Sequence, residues 1–464
     1  MIILRNKKLL SLEEIGNNYH VSVATVSNYV REKRLPAQAV GDQWYVEDKA
    51  ADRFFQNSRS LNPQVFVARQ PIFNPQQNVL AYELLFRSSL ENMYDVSVAT
   101  EDASASTISS SFNVIGLDTL TNNKKAFLNL TRNLLVKGVP LLLPKKLVVV
   151  EILEDVQADN EVIEACRRLK DAGFVLALDD FVYSDRRRPL IELADIIKVD
   201  FLQTTGQERK NIIRQVNQSD VRFLAEKVET QADFQQALDF GYTYFQGYFF
   251  SKPLIVQGKD IPVSKLNFIR LVSEVNRPDL GLEKLEQIIK HDLALSYKLL
   301  RLINSAFFGF SVKVESIRHA LVLLGENEIR RWSSLLALNE LAYDKPDELV
   351  SVSVIRARFC ELLSEKYKLG RPPSDCFLAG MFSLIDALVD RPMAELVEEL
   401  PIDKEIKQAL LGGVNRYHDL LQLVISYEKG YWEDLPGYAA KLGITETDLP
   451  DMYMAAVTWS QKVL

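Results

Sequence analysis

The chain has 464 residues, 47% hydrophobic and 25% charged, and its 55 Lys and Arg against 62 Asp and Glu give a formal charge of −7. These values predict about three soluble globular domains and exclude a disordered chain, a fibrous chain and a uniformly basic one. The three cysteines lack metal-ligand spacing and no run of about 20 apolar residues is uninterrupted, so we expect a reduced cytoplasmic protein without a signal peptide or membrane span.

The sequence pattern predicts three domains, at residues 1–60, 61–256 and 261–464. In the first, Ser11 and Glu14 form a capping box that opens a helix, and Ser22 caps a second helix. A β-wing around Trp44 and a last short helix complete the unit. The predicted elements are helix, helix, wing and helix, at 12–19, 23–31, 37–46 and 48–55.

This order of elements is typical of a winged helix-turn-helix, whose second helix enters the DNA major groove. Residues 10–46 resemble MerR-like or excisionase-like helix-turn-helix domains, and residues 1–60 carry a net charge of +2 from nine basic and seven acidic side chains. The face of the second helix that we expect to contact DNA consists of Ala24, Ser27, Asn28 and Arg31. A helix-turn-helix that serves dimerisation or protein contact is the alternative.

The second domain alternates short apolar runs with amphipathic helical patterns, which favours parallel strands joined by crossover helices. Eight such runs in about 190 residues predict a compact, TIM-like (β/α) barrel. No helix separates the first two runs, so we expect them to form a hairpin. The runs are residues 65–68, 79–85, 126–130, 147–153, 174–178, 196–199, 222–225 and 242–250.

The carboxyl ends of barrel strands converge on one mouth, and polar side chains stand near these ends in the sequence. They are Glu83, Asn129, Glu151, Asp179, Asp180, Lys198, Glu226 and Gln246. Carboxylates gathered this closely need compensation, which Mg²⁺ or Mn²⁺ supplies, and a pair of such cations suits phosphodiester hydrolysis. The absence of histidine from these positions argues against zinc.

Eight ordered motifs of this region resemble those of EAL domains, which are barrels that hydrolyse cyclic di-GMP to linear pGpG. The motifs are QPI at 70–72, YELLFR at 82–87, FLNL at 127–130, VEILE at 150–154, LDDF at 178–181, KVD at 198–200, AEKVE at 225–229 and QGYFFSKP at 246–253. The resemblance implies an EAL barrel with two Mg²⁺ or Mn²⁺ ions per active site and cyclic di-GMP as the ligand.

The resemblance also implies a role for each matched residue. One metal would be held by Glu83, Asn129, Glu151 and Asp179, and the second by Asp179 and Asp180. Lys198 would orient the attacking water, and Glu226 would complete the catalytic group. Arg87 would contact phosphate, Gln70 and Gln246 would face the ligand, and Glu154 and Glu229 would support the surrounding loops.

Two departures from the EAL pattern bear on activity. The signature triplet is Glu-Leu-Leu here, although Glu83 itself is present. The paired aspartates are followed by FVYSDRRR at 181–188 instead of the family's Phe-Gly-Thr-Gly, so this loop must take a different path. A catalytically silent receptor for cyclic di-GMP and a barrel that serves only as a scaffold are therefore alternatives to the phosphodiesterase. The basic run 186–188 is interpreted as a solvated surface loop, and contact with phosphate or with an acidic neighbour beside the mouth is the alternative.

The third domain is predicted to be nearly all helix, with a helix over 317–324 that ends at Gly325. One buried helical stripe is predicted at Leu295, Leu299, Leu302, Ile303 and Ala306. His291 and Asp292 are compatible with a metal phosphohydrolase, but such sites need more histidines than this region has. Residues 292–309 and 378–386 resemble HDOD domains, which lack the metal and serve as output or protein-contact modules. Asp292 is then a helix cap.

The whole chain thus resembles an EAL–HDOD signalling protein with an added helix-turn-helix. We expect it to couple the level of cyclic di-GMP to DNA or to an unidentified protein partner of the HDOD domain, and to be able to form a homodimer. A transcription regulator in which the barrel and the helices only dimerise is the rival interpretation.

Overall fold

The structure is a computed structural model of the chain. It describes residues 2–4, 7–19, 26–27, 30, 35–40, 43–51, 66–87, 117–216, 220–251, 275, 281–291, 293–305, 308, 313–342, 345–400 and 402–464. None of the helices in these ranges combines the length and the apolar character that crossing a bilayer requires.

The described residues of the N-terminal part include a four-stranded antiparallel sheet of order β1-β2-β4-β3 and the helix α1. These elements are β1 Ile2–Leu4, β2 Lys7–Ser11, α1 Leu12–Tyr19, β3 Ala37–Val40 and β4 Gln43–Glu47. The Ser11 N–H donates to Glu14 Oε2 at 2.9 Å and the Glu14 N–H donates to Ser11 Oγ at 3.1 Å, so the predicted capping box forms.

The predicted second helix is described only at residues 26, 27 and 30, all of which are helical. Val26 is buried with Leu10 and Ile15, whereas Ser27 is partly exposed. The other three residues that we assigned to DNA contact, Ala24, Asn28 and Arg31, lie outside the described residues.

The middle of the chain forms a closed eight-stranded barrel, as predicted. Its strands are β5 Phe66–Phe73, β6 Val79–Arg87, β7 Lys125–Leu130, β8 Val148–Ile152, β9 Val175–Leu178, β10 Ile196–Asp200, β11 Arg222–Glu226 and β12 Tyr244–Gln246. The first strand, β5, is antiparallel to β6 and to β12, while the other neighbouring strands are parallel. The predicted opening hairpin is therefore confirmed.

Helices surround the barrel because each crossover places an apolar helix face on the outside of the sheet. They are α2 Leu117–Thr121, α3 Arg132–Val136, α4 Asn160–Ala172, α5 Arg188–Ile191, α6 Gly206–Val216 and α7 Gln231–Phe240. In α4, for example, Asp159 caps the N-terminus by accepting from the Val162 N–H, and Gly173 ends the helix at φ 87°.

The third part is helical in all of its described elements. The helices are α8 Leu282–His291, α9 Leu293–Ile303, α10 Ile317–Leu341, α11 Asp347–Tyr367, α12 Pro373–Phe382, α13 Ile385–Val389, α14 Met393–Glu399, α15 Lys404–Leu410, α16 Arg416–Lys429, α17 Leu435–Leu442 and α18 Leu449–Val463. Of the predicted stripe, Leu295, Leu299 and Ile303 are buried and Leu302 is partly exposed. Ala306 lies outside the described residues. Asp292, the predicted cap, lies outside the described residues.

Gly325 divides the span of α10 into two helical segments. The sequence predicts that the helix from residue 317 ends at Gly325, and the backbone is non-helical there, with φ 80° and ψ 168°; a second helical segment follows directly and runs to Leu341. A left-handed glycine interrupts the helix, as expected, but the chain then resumes it.

The helical part packs against the barrel along β5 and β6. Tyr82 on β6 donates to Glu348 Oε2 on α11 at 2.7 Å, and Arg69 on β5 lies 3.9 Å from Glu348. Phe66 meets Tyr427 and Trp432, with ring centroids 6.3 and 6.1 Å apart. The barrel and the helices therefore share a buried contact on one side of the mouth.

Candidate active site at the barrel mouth

A single lysine lies at the centre of the acidic side chains in the barrel mouth. Lys198 Nζ is 2.6 Å from Glu226 Oε1, 2.9 Å from Asp179 Oδ1 and 3.3 Å from Glu83 Oε2, and it also contacts Glu151 Oε1. The side chain of Lys198 is 1% exposed, so one cation faces four carboxylates in a buried space.

Strand register brings these residues together. Asn129 on β7 is paired with Glu151 on β8, and Lys198 on β10 lies one strand from Glu226 on β11. The antiparallel hairpin places Gln70 of β5 opposite Glu83 of β6. Residues that are far apart in the sequence therefore point into the same space, because the register of the strands aligns them.

Burial and mutual repulsion shift the protonation of this group. Burial, followed by the Glu83 charge, raises the pKa of Glu151 well above its ordinary value against the pull of Lys198. Burial also raises the pKa of Glu226 well above its ordinary value. For Asp179, burial is outweighed by the charge and hydrogen bond of Lys198, so its pKa is lowered. For Lys198, burial is outweighed by the carboxylates, Glu151 first, and its pKa is raised well above the ordinary value.

Several buried oxygens of the site have no hydrogen-bond partner among the described residues. They are Asn129 Oδ1, Glu151 Oε2, Asp180 Oδ1, Glu226 Oε2 and Gln246 Oε1. Two sets of three carboxylates have oxygens within 4.8 Å of one another: Glu83 with Glu151 and Glu226, and Asp179 with Asp180 and Glu226. Unpaired carboxylate and amide oxygens are the ligands that hard divalent cations prefer, so this donor set fits a hard divalent cation.

Asp180 stands at the edge of the cluster in a strained conformation, with φ 36°. Lys227 Nζ lies 3.6 Å from Asp180 Oδ2 and also contacts Asp200 Oδ2. Lys227 was not among the site residues predicted from the sequence. Its position directly after Glu226 was the available signal, since two consecutive residues at a strand end both reach the mouth.

A chain of amides extends from Glu83 to the helical part. Asn129 Nδ2 donates to Glu83 Oε1 at 2.9 Å, and Gln246 Nε2 donates to Glu83 Oε2 at 2.6 Å and to Gln70 Oε1 at 3.0 Å. Gln70 Nε2 donates to the main-chain oxygen of Lys429, the last residue of α16, at 3.4 Å. The two predicted ligand-side glutamines are therefore hydrogen-bonded to each other and to both domains.

Three further residues were predicted for the site: Glu154, Glu229 and Arg87. Glu154 and Glu229 are exposed in loops on the rim. The side chain of Arg87, at the end of β6, is outside the described residues, so its predicted phosphate contact stays a prediction.

The glycine-free loop after Asp180 places Arg187 against the loop that follows β8. Its Nη2 lies 3.2 Å from the Glu154 carbonyl oxygen and 3.4 Å from that of Leu153, and its guanidinium is 5.8 Å from the Phe181 ring centroid. Arg187 is half-buried, whereas its neighbours Arg186 and Arg188 are exposed. The basic run is thus not uniformly solvated, and Arg187 ties the loop after β9 to the loop after β8.

The structure thus defines a protein class that combines a barrel with an acidic mouth and a helical domain that follows it. Residues 80–253 match the EAL domain family and residues 261–399 match the HDOD domain family. Neither match includes residues 1–60.

Two relatives show which proteins of this class the chain is similar to. It is 39% identical over 412 residues to the uncharacterized protein YuxH of Bacillus subtilis, covering 86% of this chain and 99% of YuxH. It is 36% identical over 400 residues to the cyclic di-GMP phosphodiesterase CdgJ of Vibrio cholerae, covering 86% of this chain and 93% of CdgJ. The chain therefore belongs to the family of EAL–HDOD proteins that includes YuxH and CdgJ.

Among solved structures, the calcium and cyclic di-GMP complex of BlrP1 from Klebsiella pneumoniae aligns with 20% identity and a TM-score of 0.35. The alignment covers 50% of this chain and 71% of BlrP1.

Proposed function

We propose that the barrel is a phosphodiesterase that hydrolyses cyclic di-GMP to pGpG with two Mg²⁺ or Mn²⁺ ions. The observation that carries this proposal is the buried group of four carboxylates around one lysine, with oxygens that have no partner among the described residues. The relative CdgJ, named a cyclic di-GMP phosphodiesterase, supports the choice of substrate.

Glu83, Asn129, Glu151 and Asp179 would hold one cation, and Asp179 with Asp180 the other. When bound, such cations polarise a phosphate oxygen and lower the pKa of water. The protein's contribution is a rigid, buried donor set that strand register holds in place before the substrate arrives.

Lys198 and Glu226 would act on the water and on the charge that develops at phosphorus. Lys198 Nζ already donates toward Glu226 and Asp179, so its ammonium can orient a water molecule in the same space and balance negative charge in the transition state. Hydrolysis adds the hydroxyl of water to phosphorus and its proton to the departing 3′ oxygen, which opens the ring to pGpG. Gln70, Gln246 and Arg87 would hold the dinucleotide, Arg87 through its planar fork on phosphate.

Incubation of the full chain with cyclic di-GMP and Mn²⁺, followed by chromatography, tests the proposal. We expect pGpG from the wild type, none after addition of EDTA and none from Glu83→Ala. Glu164→Ala, a change of an exposed carboxylate on α4, is the matched control and should leave the product unchanged. Absence of pGpG from the wild type would reject the enzyme.

A catalytically silent receptor is the second candidate, and Lys227 favours it. Its ammonium contacts Asp200 and lies 3.6 Å from Asp180, so the chain itself supplies a cation to the proposed second metal position. Calorimetry separates the two candidates, because a receptor releases or absorbs heat with cyclic di-GMP but forms no product. No heat and no product would leave the barrel as a scaffold.

We also propose that residues 1–60 bind DNA and that the chain couples cyclic di-GMP to this binding. The capping box, the β3–β4 hairpin and the burial of Val26 support a winged helix-turn-helix. DNA affinity of the full chain should fall steeply with salt and be weakened by Arg31→Ala. An affinity that cyclic di-GMP does not change would contradict the coupling.

The predicted domain limits at 60, 256 and 261, the homodimer and the partner of the HDOD domain remain proposals as well. Light scattering of the purified chain, with and without cyclic di-GMP, would measure its oligomeric state.

A further inference from the structure

The C-terminal turn of α16 lies on the rim of the barrel mouth. Gly430 caps the helix at φ 71°, and a Cβ added at this position would lie 2.8 Å from Leu85 Cδ1 of β6. Lys429 Nζ is 4.4 Å from the ring centroid of Tyr248, which follows β12. The turn therefore touches the barrel beside β5, β6 and β12.

Aromatic packing fixes this turn relative to the barrel. Tyr427 and Trp432, on either side of it, both pack on Phe66 of β5 and contact each other with ring centroids 5.4 Å apart. Phe66 and Tyr427 are buried. The main-chain oxygen of Lys429 is thus held in place by the apolar contact between the two domains and not by the site itself.

The main-chain oxygen of Lys429 determines the orientation of the Gln70 and Gln246 side-chain amides. An acceptor at Lys429 requires the nitrogen of Gln70, so the oxygen of Gln70 turns toward Gln246 and accepts from Gln246 Nε2. At the other end, the Glu83 carboxylate also requires the nitrogen of Gln246. With both ends fixed by acceptors, Gln246 Oε1 is left buried and without a hydrogen-bond partner among the described residues.

Resting on the proposed function, we propose that the C-terminal turn of α16 is a positioning element of the barrel site. Through the Lys429 carbonyl it sets the orientation of the Gln70 and Gln246 amides, and with them Glu83 and the acceptor oxygen that Gln246 offers to a donor of the nucleotide. The position of the helical domain then changes ligand affinity in the barrel, and by linkage the ligand changes the position of the helical domain.

Two glycines give a matched test. Gly430 ends α16 at φ 71° and ψ 24°, and Gly443 ends α17 at φ 69° and ψ 29°, but a Cβ at Gly443 meets nothing within 4 Å in the part of the chain that the structure describes. Asparagine tolerates this left-handed conformation, so Gly430→Asn and Gly443→Asn carry similar backbone strain. Only at Gly430 does the new side chain collide with the barrel, at Leu85 Cδ1, so only Gly430→Asn should strain the contact between the turn and β6.

We expect Gly430→Asn to weaken Mn²⁺ binding and to raise the KM for cyclic di-GMP by about three- to tenfold, which corresponds to the loss of one hydrogen bond. The same values in Gly443→Asn should stay within about twofold of the wild type, while both variants lose similar thermal stability. Electron paramagnetic resonance of free Mn²⁺ measures the metal affinity without turnover. Adding Leu85→Ala to Gly430→Asn should restore both values, because it makes room for the new side chain.

Equal Mn²⁺ affinity and equal KM in the two asparagine variants would overturn the positioning role. A defect in Gly430→Asn that Leu85→Ala does not relieve would overturn it too, because the loss would then not arise from displacing the turn. Failure of the proposed function looks different: the wild type would neither bind nor hydrolyse cyclic di-GMP, and the Mn²⁺ titrations of both variants would still decide the positioning role.

Discussion

The barrel and the helical domain both bury charged side chains, but they balance them differently. In the helical domain, Arg356 meets Glu428 through two bonds of 2.6 and 2.9 Å and donates to Ser383 Oγ at 3.1 Å. In the barrel mouth, Lys198 faces four carboxylates. One cluster is a closed pair, and the other has an excess of negative charge.

This difference distinguishes a buried charge pair that stabilises the fold from a buried charge cluster that indicates a binding site. Within the described residues, no buried side-chain atom of Arg356 or Glu428 lacks a partner, whereas Glu151, Asp180 and Glu226 each have such an oxygen. A balanced pair can be explained by folding alone, but an unbalanced cluster costs stability and indicates a ligand. A buried charge is therefore evidence for a site only when its neighbours do not neutralise it.

Breaking the Arg356–Glu428 pair should cause the largest change in stability. Glu428→Gln should lower the free energy of unfolding by about 3 kcal/mol, because it leaves the Arg356 guanidinium buried without its counter-ion. Urea denaturation followed by circular dichroism measures the change. A loss under about 1 kcal/mol would show that this pair is not the closed structural contact described above.

Cation binding in the barrel mouth should raise the stability of the protein by almost as much as Glu428→Gln lowers it. At a free Mn²⁺ concentration of about 100 times Kd, mass action adds about 2.7 kcal/mol to the stability of the wild type. Thermal unfolding with Mn²⁺ and with EDTA measures this gain. Glu83→Ala serves as the comparison, and a gain of the same size in that variant would place the cation elsewhere.

Neutralising one carboxylate of the barrel cluster should raise the stability of the metal-free protein, whereas Glu428→Gln in the helical domain should lower stability. Glu151→Gln removes a buried negative charge beside Glu83, so the metal-free protein should gain about 1 kcal/mol while Mn²⁺ binding weakens. Parallel denaturation and Mn²⁺ titration test this reversal. A metal-free variant less stable than the wild type would contradict the claim that the cluster is unbalanced.

The smallest effect concerns the loop after Asp180. Arg187→Ala should lower kcat/KM by about fivefold, because it releases the tie to the Glu154 and Leu153 carbonyls, whereas the exposed Arg186→Ala should change it little. Steady-state kinetics of the two variants side by side check the difference. Equal values would show that the loop holds its position without Arg187.

Much of the barrel could be predicted from the sequence because its signals are local. Eight apolar runs gave eight strands, and the polar residues near their ends met as expected because parallel strands share one edge. The first helix was predicted from Ser11 and Glu14, a pair three residues apart. In the helical domain, the helix end at Gly325 was predicted from the glycine, whereas the second helical segment that follows it directly was not.

The contacts that the sequence could not predict join distant parts of the chain. Gln70 and Lys429 are 359 positions apart, and their contact depends on how the helical domain packs on the rim. Arg187 is indistinguishable from Arg186 and Arg188 by type, and only the path of the loop selects it. Such features arise from tertiary packing, which local patterns do not encode.

The number of Mn²⁺ ions that the full chain binds decides whether the barrel mouth is a metal site. We expect about two Mn²⁺ per wild-type chain, detected by electron paramagnetic resonance of the free ion, and a loss of sites in Glu83→Ala and in Asp179→Asn. A wild-type chain that binds no Mn²⁺, or variants that bind as much as the wild type, would contradict it.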